Sequence, residues 1–184
     1  MTQNTFFSDY FQSMFNHVKK IDTGLLEACA QKVDATHRAG GKIILAGNGG
    51  SAAMASHVAV DFTKAAGRRA VNFNEANLIT CFANDYGYEN WLSEAVKAYA
   101  DPADLVILIS SSGQSPNIIN AAKQSNEKGT DLVTLTGFSH DNPVRGMGSI
   151  NLWADSTNYN FVEMTHHIWL LSIVDFCISA GNQK

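Results

Sequence analysis

The sequence predicts an α/β fold: a parallel β-sheet sandwiched by helices, with long N- and C-terminal helices outside the repeating unit. Three observations carry this. Short apolar runs at residues 42–46, 104–109 and 132–136 alternate with segments of helical periodicity. Such alternation builds a mostly parallel sheet covered on both faces. The first two runs lead directly into glycine- or serine-rich turns that open helices. Hydrophobic residues make up 45% of the 184 residues, enough to bury a core and too many for a disordered chain.

In chain order, Phe7, Phe11, Met14, Phe15 and Val18 recur at three- and four-residue steps, which predicts a first helix. The aromatic stripe of Phe6, Phe7, Tyr10, Phe11 and Phe15 fits a core or a subunit interface. Ile21-Asp22-Thr23-Gly24 breaks the pattern. Leu25, Leu26, Cys29 and Val33 resume it to Ala39, and Gly40-Gly41 ends it. Lys42–Ala46 reads as a strand and Gly47–Gly50 as a turn, with Ser51 placed to cap a helix running to about Ala66. A strand at Arg69–Asn72 follows, then helices at Ala76–Phe82 and Trp91–Ala100. Asp104–Ile109 reads as a buried strand that enters Ser110–Pro116, and the next helix runs to Lys128, where Gly129 stops it. Strands at Leu132–Thr136 and Ile150–Trp153 and a long apolar helix from Asn158 to Ala180 complete the chain. The two terminal helical regions are the natural candidates for subunit packing.

Composition excludes several classes. Thirteen Lys+Arg against seventeen Asp+Glu leave a net charge of −4. That balance gives no support to a nucleic-acid binder, which shows a basic patch or high pI. Charged residues are 16%, against about 25% in an average soluble domain, so part of the surface is expected to be covered by another subunit. No run approaches the roughly 18 apolar residues of a membrane span. Residues 1–9 lack the basic region of a secretory signal. Cys29, Cys81 and Cys177 are far apart and odd in number. They read as reduced core residues of a cytoplasmic protein, not as a disulfide or metal cluster.

Two loops follow strands and open helices, where ligands of open α/β sheets bind. In Gly47-Asn48-Gly49-Gly50-Ser51 the glycines allow close backbone approach, and the helix start offers free N–H groups. In Ser110-Ser111-Ser112-Gly113-Gln114-Ser115 four hydroxyls can donate to phosphate oxygens. Neither is a Walker loop, since no Gly-Lys-Ser/Thr occurs, and Ala52 stands at the third glycine of the dinucleotide fingerprint. The absence of a long basic finger suits a small monophosphate better than a nucleoside triphosphate. The bland alternative for each loop is a tight turn with capping serines.

Two i,i+4 pairs carry acid–base chemistry: His57 with Asp61, and Glu163 with His167. Each pair shares one helix face. Together they provide two imidazoles and two carboxylates, enough for proton transfer or a Zn²⁺ site. The alternative is two ordinary polar helix faces. His166 points about 100° away from His167 and is expected only to pack or hydrogen-bond. His17, His37 and His140 have no such partners and read as surface residues. Asn84-Asp85-Tyr86-Gly87-Tyr88-Glu89 reads as a polar, turn-rich patch able to hold sugar hydroxyls.

Taken in order, Gly47-Asn48-Gly49-Gly50-Ser51-Ala52-Ala53, His57, Asp61, Phe82–Glu89 and Ser110–Asn117 closely resemble the phosphoheptose isomerases of the sugar-isomerase (SIS) fold. The resemblance runs over nearly the whole chain and implies one SIS domain over 1–184, with the helical segment 1–40 used in packing. It implies a flavodoxin-like sheet and a homotetramer with sites between subunits. It also implies conversion of sedoheptulose 7-phosphate to D-glycero-D-manno-heptose 7-phosphate, which feeds the heptose of lipopolysaccharide and other glycans. By position, Ser51, Ser110, Ser112 and Ser115 would bind phosphate, Ser111 stands where the family has Thr, and Asn48 and Asp85 would contact the sugar. Gly49 and Gly50 would line the same site. Asp61 falls on the family's catalytic Glu, one methylene (about 1.5 Å) shorter, and His57 on a metal-ligand position.

The last helix departs from the family pattern. Glu163 stands at a Gln ligand position, and Leu171 stands where the family has its catalytic histidine. His167, one turn before Leu171 on the same face, is the candidate replacement, with His57, Asp61 and Glu163 as companion Zn²⁺ ligands or acid–base groups. The lost histidine also fits another class: a non-catalytic SIS protein that binds phosphosugars or regulates, including the type that associates with a replication initiator. A third reading is an isomerase acting on a different ketose phosphate.

Overall fold

The structure is a computed structural model and describes residues 5–181. Residues 1–4 of the expected N-terminal helical segment lie outside the described residues. Five strands form one all-parallel sheet in the order β2-β1-β3-β4-β5. They are β1 (Ile43–Gly47), β2 (Ala70–Asn72), β3 (Leu105–Ser110), β4 (Asp131–Thr136) and β5 (Ile150–Trp153). This is the flavodoxin-like order, whose switch point lies between β1 and β3.

Strand alternation explains why these segments are apolar without a gap. Ile43, Leu45, Leu105, Ile107, Ile109, Val133 and Leu135 face one core. Their neighbours Ile44, Ala46, Val106, Leu108 and Leu132 face the other. Six of the α-helices among the described residues cover the two faces. α2 (Thr23–Arg38), α3 (Gly50–Lys64) and α7 (Tyr159–Gly181) pack on the first, bringing Val33, Phe62 and Trp169 into it. α4 (Ala76–Tyr86), α5 (Trp91–Tyr99) and α6 (Pro116–Lys128) pack on the second, which holds Trp91, Leu92 and Ile118. Burying side chains of this size contributes about 1.5–3 kcal/mol each.

The remaining helix, α1 (Phe6–Val18), buries none of its residues. Phe6, Phe7, Phe11 and Phe15 are 51–69% exposed, so their stripe is not core of this chain, and the interface reading remains. α1 touches α7, where Tyr10 stacks edge-on against Phe161 and the indole of Trp169 donates to the Val18 carbonyl at 2.9 Å. α7 is long and apolar enough to cross a membrane by length and composition. Here its Val162, Thr165, His166, Trp169 and Leu170 are buried within the domain.

Several boundaries differ from expectation for local reasons. Thr23-Gly24 does not break the helical region. Asp22 caps α2 by accepting from Gly24 N at 2.9 Å, so both residues lie in its first turn. Ser51 is not a cap. Gly49, at φ 54°, takes the N-cap position and places Ser51 buried inside α3. α4 continues through Asn84 and Asp85 to Tyr86, because the chain reverses only at Gly87 (φ 83°). A 3₁₀ turn at Pro143–Gly146, capped by Asn142, precedes β5 and was not signalled by periodicity. Cys29 and Cys177 are buried, but Cys81 is exposed on α4. His17 is half-buried against Phe161 instead of lying on the surface.

Candidate active site

β1 and β3 are neighbours, yet the helices that follow them go to opposite faces of the sheet. The chain therefore parts beyond their carboxyl ends and leaves a crevice, as it does at switch points of open sheets. A cavity of about 250 Å³ fills that crevice. Asn48, Gly49, Gly50 and Ser51 line it from the β1–α3 loop, and Ser110, Ser111, Ser112 and Ser115 from the β3–α6 loop. Tyr159 and Glu163 of α7 close the remaining side. The structure thus brings eight of the loop candidates together with Glu163 around one cavity.

The serine loop is built to present donors. Ser110 Oγ accepts from Gly113 N at 3.1 Å, and Ser112 Oγ accepts from Gln114 N at 3.2 Å. The Ser110 hydroxyl donates to Ser115 Oγ at 3.5 Å, and that of Ser112 is left to point elsewhere. Gly113 holds φ 62°, and any Cβ there would strike Asn142 Oδ1. Ser115 is the N-cap of α6 but makes no capping bond, Pro116 has no N–H and Ile118 N donates to the Ser115 carbonyl, so the Ser115 hydroxyl proton and the Asn117 amide remain for an anion. Ser111 Oγ is buried and has no hydrogen-bond partner. A buried hydroxyl without a partner costs about 1–3 kcal/mol, which a ligand oxygen would recover.

Asn48 is fixed by a reciprocal amide pair with Asn117, at 3.0 and 2.9 Å. The Tyr88 hydroxyl donates to Asn48 Oδ1 at 3.3 Å. Asn117, Tyr88 and Tyr159 received no role from the sequence. Tyr88 and Asn117 sat within quoted motifs, but only the fold shows which neighbours they meet. Asp85 does not reach the cavity. It is exposed on α4 and accepts from Asn84 Nδ2 at 2.9 Å.

The four acid–base candidates separate into two places. His57 Nε2 lies 3.2 Å from Asp61 Oδ2, and His57 Nδ1 lies 3.0 Å from His167 Nε2. Which ring donates between His57 Nδ1 and His167 Nε2 is set by the tautomers of the two imidazoles. The His167 pKa is lowered, first by burial and then by His57, with Asp61 opposing. Glu163 stands apart, with its carboxylate against Gly50 in the cavity wall.

The expected Zn²⁺ set of His57, Asp61, Glu163 and His167 is therefore not assembled. Among the described residues no three His, Cys, Asp or Glu side chains converge as metal ligands. His57 has both ring nitrogens engaged with protein. This donor arrangement does not fit a zinc ion, whose ligands surround one point at about 2.0–2.2 Å.

His166 is buried, and its Nε2–H donates to the Thr136 carbonyl at 2.9 Å. Burial pushes its pKa down to about 4. Leu171, at the family's histidine position, packs on the first core.

The family model for the SIS domain matches residues 6–137. The chain belongs to the SIS domain family. Among curated SIS proteins, phosphoheptose isomerases of Roseiflexus sp. and Fusobacterium nucleatum are 38% and 39% identical over 121 and 116 residues. Those stretches cover 62% and 60% of this chain, and the chain spans only about 60% of the length of these relatives (61% and 60%). In three dimensions, the phosphoheptose isomerase of Neisseria gonorrhoeae superposes with a TM-score of 0.87 at 27% identity, covering 96% of this chain and 99% of that one. The phosphoheptose isomerase from Francisella tularensis gives the same TM-score at 22% identity, over 97% and 100% of the two chains. It supports the SIS fold alone.

Proposed function

We propose that this SIS protein is a sugar-phosphate aldose–ketose isomerase that converts sedoheptulose 7-phosphate to D-glycero-D-manno-heptose 7-phosphate through an enediolate. The observation that carries this is the cavity itself. Serine hydroxyls lie on one wall, an oriented amide lies at Asn48, and a carboxylate lies on α7. Isomerisation needs a handle for the phosphate, polar groups for the sugar oxygens and a group that moves a proton between carbons. The likeness to phosphoheptose isomerases supports the same substrate. His167, one turn beyond Glu163, is proposed to assist proton movement, held by His57 and Asp61. The exposed phenylalanines of α1 support packing against another subunit, and the assembly proposed is a homotetramer.

One observation favours a second reading. Leu171 is apolar and core-packed where the family has its catalytic histidine, which suits a phosphosugar-binding regulator. Incubating purified protein with sedoheptulose 7-phosphate and following the sugar by ¹H NMR separates the two. An aldose signal growing with enzyme concentration supports the isomerase. Saturable binding without product supports the regulator and sinks the isomerase.

A further inference from the structure

We infer that Glu163, not Asp61, is the catalytic base that carries the proton between C1 and C2; this rests on the isomerase reading above. Asp61 lies ten residues beyond Ser51 on α3, about 15 Å along the helix axis. Its carboxylate lies 3.2 Å from His57 Nε2, and it does not line the cavity. Glu163 does line it, and among the lining side chains it is the only carboxylate. No described residue makes a hydrogen bond or ion pair with its carboxylate. Structural carboxylates of this chain behave differently: Asp104 is held by Lys42 and by the Asp101 amide, and Asp34 by Arg68.

The neighbour of Glu163 explains how it enters the cavity. A Cβ on Gly50 would lie 2.5 Å from Glu163 Oε2. The missing side chain at Gly50 makes the space that the carboxylate occupies. The same carboxylate sets the direction of the substrate. A phosphate dianion and Glu163 repel, so the phosphate goes to the serine loop after β3, where no acidic side chain lines the wall. C1 and C2 then point toward Gly50 and α7.

The proton balance is closed. Glu163 removes a proton from C1 of the ketose. The C1–H pair becomes the C1=C2 bond, and the C2=O2 π pair moves to O2, which takes up a proton. O1 then releases its proton and forms C1=O1, and the C1=C2 pair takes the proton back from Glu163 at C2. The net change is one hydrogen moved from C1 to C2 and one from O1 to O2, with Glu163 regenerated.

The test compares wild type with Glu163→Gln, Glu163→Asp and Asp61→Asn, all checked for native circular dichroism. Deuterium uptake at C1 of sedoheptulose 7-phosphate and at C2 of the aldose product is read in D₂O, and binding is read by calorimetry. Glu163→Gln is expected to lose exchange by on the order of 10²–10⁴-fold while binding as tightly as wild type or tighter. Glu163→Asp should retain part of the exchange, and Asp61→Asn should lose less than Glu163→Gln. If wild type exchanges and Glu163→Gln does so within about three-fold of it, the inference alone is overturned. If wild type binds the sugar but neither exchanges nor converts it, the isomerase reading and the inference fall together.

Discussion

Nδ1 of His57 lies 3.0 Å from Nε2 of His167, so one hydrogen bond joins α3 to α7 within a single chain. Asp61 extends this contact to a three-membered row, carboxylate to imidazole to imidazole. The pKa of His167 should respond to each member with opposite sign. Removing the ring in His57→Ala takes away a group that lowers it, so the value should rise. Asp61→Asn takes away a group that raises it, so the value should fall further. Imidazole NMR titration of His167 in the two variants reads both directions. Movement of both variants in the same direction would contradict the row.

Ser111 provides a second test. Its hydroxyl is buried without a partner in the free protein. Ser111→Ala should therefore leave the thermal midpoint unchanged or slightly raised. If a phosphate oxygen is the missing partner, the same change should weaken sugar-phosphate binding by roughly ten-fold, about one hydrogen bond. A variant that loses stability and keeps affinity would assign the hydroxyl a structural role.

Gly50→Ala should separate function from stability. The atoms that a new Cβ would meet are the end of the Glu163 side chain, which can swing away at little cost. Unfolding free energy should change by less than about 1 kcal/mol, while turnover falls because the carboxylate is displaced. Unchanged turnover would show that the position of Glu163 does not matter.

His166 makes acid stability predictable in sign. Its folded pKa is lowered from 6.5 to about 4. Above pH 6.5 the ring is neutral in both states, and it causes no penalty. As pH falls from 6.5 toward 4, the unfolded chain binds a proton that the folded one does not, so stability is lost through that window. The full loss is about 3 kcal/mol for a shift of this size. Urea unfolding of wild type and His166→Gln across this range should show a shallower acid slope for the variant.

Much of the fold was legible because its signals are local. Apolar strands such as Leu105–Ser110 are continuous since both faces of the sheet are covered, and Gly129 stops α6 in the left-handed conformation, at φ 72°. The loop residues of the cavity were legible for the same reason: glycine and serine turns after strands have a physical purpose. What failed depended on neighbours distant in sequence. Asp85 looked like a loop residue because helix α4 ends only where Gly87 allows it. The His57–His167 contact spans 110 positions, so spacing on each helix showed two pairs but not their joining, nor the separation of Glu163 from them. Tyr88 and Asn117 both donate to Asn48 Oδ1, a relation that no periodicity reveals.

The most direct test of the account is a crystal structure of Glu163→Gln soaked with sedoheptulose 7-phosphate. The expected result is phosphate against Ser110, Ser111, Ser112 and Ser115, Asn48 on a sugar oxygen, and C1 and C2 beside the side chain of residue 163. A sugar bound in the opposite direction, with its phosphate against residue 163 or its C1 nearest Asp61, would contradict it.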